Sequence, residues 1–216
     1  MGNPVMLQNV VICYPHLWER HIPPGGDPPG KYQAEFILDP ANNPAHGQLC
    51  NEIHQAFLKT LNEAGKGDRA QYIDSPLRDG NVVNQERLRK GMLERPELVN
   101  KWMIAGRSDT AAPHVVDRNR QPIKPDAGAI FGGCIVNAAI DLYWWGIGTN
   151  PGVFVGLNGV QLVNNVGVEP LGSGRPSAEQ LFDVIEGGPA PLQQTPQGWQ
   201  GAPQPGAAPA PDKGWM

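Results

Sequence analysis

The spacing of apolar and polar positions along the chain predicts about five strands, one long helix and an abrupt change of character near the end. Val5 to Tyr14 (VMLQNVVICY) has little polar interruption and predicts a first strand buried on both faces. Pro23 to Gly30 (PPGGDPPG) can neither pair in a sheet nor continue a helix, because proline lacks an N–H and fixes φ. It predicts a projecting loop or a wide hairpin turn. Lys31 to Leu38 (KYQAEFIL) places Tyr32, Ala34, Phe36 and Leu38 on one face, the two-residue period of a half-buried strand. From Pro44 to Ala64 the period lengthens to that of a helix. Leu49, Ile53, Phe57 and Leu61 recur on one face, with Asn43 as cap and Pro44 at the first helical position.

Gly65 to Asn100 is polar and charged, and predicts irregular chain with one short helix near Gln85–Leu93, interrupted by a turn at Ser75 to Gly80 (SPLRDG). Three further strands follow: KWMIAGRS from Lys101, AIFGGCIVNAAIDLYWWGIG from Ala129, and GVFVGLNGVQLV from Gly152. The Pro-containing segment Ala111 to Asp126 separates the first two, and a turn cluster from Gly148 to Gly152 the last two. Ser177 to Ile185 predicts a short closing helix, with Pro176 before it and Ser177 and Gln180 spaced as a capping box. Strands joined by long, uneven connections around one interposed helix predict a mainly β chain, an OB-fold-like Greek-key β-barrel over residues 1–186. A β-sandwich is the alternative. Parallel α/β folds need more helices than this pattern supplies.

From Gly187 to Met216 Pro, Gly, Gln and Ala dominate, and the only charges are Asp212 and Lys213. Such a segment cannot bury enough apolar surface to offset its ordering entropy, which predicts a disordered tail over residues 187–216. Trp199 and Trp215 stand alone in it. The terminal Gly-Trp-Met reads as a docking motif for a protein partner, carried by Trp215 and Met216.

The net charge of −4 over 216 residues argues against nucleic acid until it is divided along the chain. Residues 66–124 hold twelve basic and eight acidic side chains, whereas residues 1–65 hold three and six and residues 125–186 one and six. A local basic face on a net acidic protein can still hold phosphates. Cys13, Cys50 and Cys134 show no CxxC spacing, and Cys50 with His54 supplies two ligands where a structural zinc site wants four. No metal and no cofactor is expected. With no apolar signal region and no run of about 20 apolar residues, the chain reads as cytoplasmic and reduced.

Catalytic patterns are missing. There is no P-loop and no HExxH, GxSxG or zinc-deaminase signature. Asp74, Asp79, Asp109 and Asp117 sit near Pro or Gly turns where Asp is common anyway. No catalytic residue is assigned and an enzyme is the weakest class. Binding features are stronger. Lys101, Arg107, Arg118, Arg120 and Lys124 flank or follow the Trp102 strand, Arg78 sits in SPLRDG, and Lys31 and Tyr32 open the second strand. Tyr14, Trp18, Tyr32, Trp102, Phe131, Tyr143, Trp144 and Trp145 cluster in or beside predicted strands. Alternation puts Trp144 and Trp145 on opposite faces, so one points away from the core. Bases stack on flat side chains and phosphates need cations, so this combination suits single-stranded DNA. The candidate contacts are Lys31, Tyr32, Arg78, Lys101, Trp102, Arg107, Arg118, Arg120, Trp144 and Trp145. The same composition also builds an ordinary barrel core, and a virion structural or adaptor barrel docking through its tail is the rival reading.

The order of motifs, from the strand ending in Tyr14-Pro15 through KYQAEFILDP, SPLRDG, WMIAGRS, PHVVD, FGGCIVNAAIDLYWW, GVFVGLNGVQLV and GRPSAEQLFDVIEG, resembles the OB-fold single-stranded DNA-binding proteins of tailed bacteriophages. The resemblance implies a sequence-independent, cofactor-free protein that coats and protects exposed strands in phage DNA replication and recombination, in the host cytoplasm. Single-stranded DNA-binding proteins commonly end in an acidic tail that competes with DNA and recruits replication partners. This tail is nearly neutral, so the resemblance supports partner docking through Trp215 rather than self-competition.

Overall fold

The computed structural model describes residues 2–171 apart from 24, 27 and 148–150. The expected closing helix Ser177–Ile185 and the tail with Trp199, Trp215 and Met216 lie outside these residues. Within them the chain runs β1 (Asn3–His21), β2 (Lys31–Leu38), α1 (Pro44–Glu63), β3 (Leu77–Asp79), α2 (Gly80–Arg89), β4 (Trp102–Ser108), β5 (His114–Val116), β6 (Ile135–Trp145) and β7 (Gly152–Asn164), with short 3₁₀ turns between some of them.

The strands form one sheet in the order β3-β4-β2-β1-β6-β7-β5, and a further parallel pairing of β4 with β7 curls five of them into a closed barrel. That circuit (β1-β2-β4-β7-β6 and back to β1) is the OB-type Greek-key barrel expected from the pattern. Its interior is filled from every strand, by Leu7, Ile12, Phe36, Ile104, Ile140, Leu142, Leu157 and their neighbours. Helix α1 packs against β1 and β6 with Leu49, Ile53, Phe57 and Leu61 turned inward. Asn43 caps it, its side-chain oxygen accepting from the N–H of Ala45 at 3.1 Å.

A register shift corrects the reading of β1. Its first half alternates, with Val5 and Leu7 buried and Met6 51% exposed, as expected of antiparallel strands with one wet face. A bulge between Leu7 and Val10, where Asn9 adopts φ 53°, then moves the inward phase to Val10 and Ile12. Burial on both faces holds only around Cys13, because a second, smaller cluster of Ile37, Val83, Leu98 and Met103 covers it from outside the barrel.

The charged connection also differs from expectation. SPLRDG is no turn: Leu77–Asp79 pairs with β4, and Asp79 caps α2 by accepting from the N–H of Asn81 at 2.8 Å. The helix therefore starts at Gly80, five residues before the expected Gln85. Gly80 is fixed by space. A Cβ there would lie 2.1 Å from the carbonyl oxygen of Leu98. β5, inside the Pro-containing segment, is not among the expected strands; parallel pairing with Gly159–Gln161, far along the chain, makes these three residues a strand. No helix among the described residues is long and apolar enough to cross a membrane.

Phe36→Ala, at the centre of the barrel, is expected to lose about 3–5 kcal/mol of stability in a denaturant titration. Gly80→Ala should also destabilise, roughly 1–3 kcal/mol, because the clash is with backbone that cannot swing away.

Candidate nucleic-acid interface

Strand β4 positions the site. One of its edges pairs along its whole length with β2, from Leu38↔Trp102 to Tyr32↔Ser108. Its other edge is divided: β3 holds the first half, at Met103 and its neighbours, and β7 touches only at Arg107↔Gly156. Between β3 and β7 the sheet parts and leaves a groove of about 260 Å³.

Pairing decides which side chains face it, because residues directly opposite each other share a face. Ile104 pairs with core residue Phe36, so even-numbered β4 positions point into the barrel. Met103, Ala105 and Arg107 point out and line the groove, joined by Lys31 and Glu35 from β2 and Arg78 from β3. The opposite wall carries Tyr143 of β6 and Phe154 of β7, which face each other in register with ring centroids 6.3 Å apart and 28° between planes. Trp145 follows Tyr143 on the same face and is 49% exposed. Burial raises the pKa of the Tyr143 hydroxyl, and Asp109 and Asp141 add to the effect, so the ring stays neutral.

The cations beside the aromatic pair differ in their company. Arg78 donates to Glu86 at 2.6 Å, and that hydrogen bond and charge hold the Glu86 carboxyl below its usual range. Lys31 pairs with Asp109 at 3.4 Å. Arg107, between them, makes no ion pair among the described residues.

Adjoining the groove through Glu35 lies a charged group that the sequence alone does not single out. Arg95 has a side chain only 7% exposed; it donates to Glu35 at 2.6 Å and to Glu97 at 2.8 Å, and lies 4.7 Å over the Tyr14 ring. Asn84 of α2 grips its backbone from both sides, at 2.9 Å each way. Burial opposes the charge of Arg95, yet Glu35 and Glu97 outweigh it and hold the guanidinium protonated. Nearby Cys13 is pushed up to about 12, first by burial, and remains a neutral thiol.

Of the sequence-predicted contacts, Lys31, Arg78 and Arg107 meet in the groove and Trp145 continues its aromatic wall. Trp102 does not join them. It shares the inward side of β4 with Ile104, at the end of the strand, and is 36% exposed. Lys101 sits beside it, paired with Asp39 at 3.7 Å. Tyr32 is half-buried with the Arg20 guanidinium 5.3 Å above its ring. Trp144 packs against the barrel core. Arg118 donates to the carbonyl of Val163, seven residues along β7 from Gly156, roughly 20 Å at about 3.3 Å per residue. Arg120 lines a different hollow of about 220 Å³, with Met6 and His114. Parity was the available signal: residue 102 and residue 107 of one strand cannot face the same way, whereas 143 and 145 do. Phe154 carried no such mark, since only its register with Tyr143 makes it half of a platform.

The family model described as "Enterobacter phage Enc34, ssDNA-binding protein" matches residues 3–190. The chain belongs to this family. Its class is non-enzymatic. The chain is also 27% identical, over 181 residues covering 83% of it and 93% of the relative, to "Putative protein p50" of Acyrthosiphon pisum secondary endosymbiont phage 1. Among solved structures, it resembles the single-stranded DNA-binding protein from bacteriophage Enc34 in complex with ssDNA, at a TM-score of 0.63 and 23% identity, covering 79% of this chain and 90% of that one. The single-stranded DNA-binding protein gp2.5 encoded by bacteriophage T7 aligns at a TM-score of 0.52 and 15% identity, covering 88% of this chain and all of that one. At these identities the structural likeness establishes a shared fold.

Arg95→Ala is expected to destabilise the protein by about 3–5 kcal/mol in thermal or chemical unfolding, since Glu35 and Glu97 would be left without their counter-ion. Arg95→Met combined with Glu35→Gln and Glu97→Gln should recover part of that loss.

Proposed function

We propose that this chain binds single-stranded DNA without sequence preference in the groove between β3 and β7. The observation that carries the reading is the Tyr143–Phe154 pair set beside Lys31, Arg78 and Arg107. Every base has a π-face, so stacking on a flat pair is tolerant of sequence, and the cations lie within one groove of it. In this reading Tyr143, Phe154 and Trp145 stack bases while Lys31, Arg78 and Arg107 take phosphates. Trp102, Trp144, Tyr32 and Lys101 serve the barrel and its rim, and Arg118 and Arg120 serve a strand only where it continues around the far end of β7.

A protein of this kind coats and protects exposed single strands during phage DNA replication and recombination, in the host cytoplasm. Family membership and the fold shared with the Enc34 protein in its ssDNA complex support that role. Residues 1–186 form the binding domain in this proposal, and residues 187–216 a tail whose Trp215 and Met216 dock on a replication or recombination protein.

Tryptophan fluorescence of the full chain titrated with oligo-dT tests the reading. Binding should weaken with salt at a log–log slope between about −0.7 and −2, since each of three phosphate contacts contributes up to about −0.7. Tyr143→Ala and Phe154→Ala should each lose about 1–3 kcal/mol of affinity, whereas Trp102→Ala should change it by less than about 0.5 kcal/mol. Absence of salt-dependent binding would end the single-strand reading and favour the adaptor.

A further inference from the structure

The groove holds its own anions. Arg78 and Lys31 are two of its three cations, and each is already met by a carboxylate of the same chain, Glu86 at 2.6 Å and Asp109 at 3.4 Å. Both carboxylates stand on anchored backbone. Glu86 lies seven residues after the cap Asp79, two turns along α2, which returns it to the side of the helix that Arg78 reaches from β3. The helix itself is anchored, since Gly80 donates to Lys101 at 2.8 Å and Val83 packs in the outer cluster. Asp109 immediately follows β4, and Arg20 holds its backbone carbonyl at 2.8 Å, steadying the carboxylate beside Lys31. Arg107 alone stands between the two pairs without a counter-ion among the described residues.

We infer that Glu86 and Asp109 act as built-in phosphate competitors that hold down the groove's affinity for single-stranded DNA, and that Arg107 makes the first phosphate contact. The inference rests on the single-strand reading above. A carboxylate on a guanidinium or ammonium presents the same charge and the same acceptor oxygens as a phosphate does. An incoming strand meets Arg107 directly, but must displace Glu86 from Arg78 and Asp109 from Lys31 before those cations become available. Each displaced carboxylate then collects a cation from solution, so fewer ions are released overall than from a groove of unpaired cations. The device weakens binding and softens its salt dependence, which suits a protein that must leave the strand when a polymerase or recombinase needs it.

The test is an oligo-dT titration of the full-length protein as wild type, Glu86→Gln, Asp109→Asn and the double variant, at several salt concentrations. Glu86→Gln should bind about two- to fivefold tighter, the range that an exposed ion pair supports, and Asp109→Asn should bind tighter by a smaller factor. The double variant should show a salt slope steeper by up to about 1.4, at about 0.7 for each restored contact. Glu94→Gln removes the same charge from an exposed position that does not line the groove, and should leave affinity unchanged. Equal or weaker binding by both groove variants would overturn the inference and make the two pairs positioning contacts for Arg78 and Lys31. Equal tightening by Glu94→Gln would overturn it too, assigning the effect to net charge. Failure of the wild type itself to bind would instead remove the single-strand reading on which the inference stands.

Discussion

The parallel contact of β4 with β7 is the constraint on which the rest depends. Arg107 opposite Gly156 closes five strands into a barrel, which gives the apolar faces of β1, β2, β4, β6 and β7 a common interior. A strand has only two edges. With β2 occupying one, the second must be shared, and β3 takes the portion that β7 leaves. The groove is the space where these two neighbours diverge. Closing the core and opening the site are therefore one event in the backbone.

The Arg95 cluster braces the groove through Glu35. Arg95 joins β2 through Glu35, β1 through Tyr14 and α2 through Asn84, in a setting where a lone charge would be expensive. Its Nη2 is buried without a hydrogen-bond partner among the described residues, so the cluster is only partly compensated. A fully apolar arrangement of the same volume could be more stable. The polar one ties the α2 segment to the barrel in a single geometry, and that segment carries Glu86 to the rim. Stability and the electrostatics of the rim are thus coupled through one buried guanidinium.

The net charge of the chain does not mark the surface of the groove. Arg78 and Lys31 are locally balanced, and the aromatic wall is neutral, so the groove presents placed cations rather than a strong positive field. The basic excess of residues 66–124 is real, but it is distributed. Lys101 is spent on Asp39, Arg95 on the buried cluster, and Arg118 on a backbone carbonyl at the far end of β7.

Much of the fold was legible in the residues. The two-residue period over Lys31–Leu38, the helical period of Leu49, Ile53, Phe57 and Leu61, the cap at Asn43 and the paired apolar strands of β6 and β7 are local consequences of backbone geometry and burial. Together with the family's run of motifs they were sufficient for the barrel and for a binding rather than a catalytic class. The start of α2 and the strand β5 were not legible, since Gly80 is dictated by a carbonyl eighteen positions away in sequence and β5 by a distant partner strand. The site was legible in part. Arg78, Lys31 and Arg107 could be chosen as cations from composition, but which aromatics stand with them depended on register: Tyr143 with Phe154, and Trp102 on the opposite side of β4 from Arg107. The chain by itself determined which segments become strands and helix, because those preferences act over a few residues. Tertiary structure alone decided which faces meet, because pairing between strands far apart in sequence sets every side chain's direction at once.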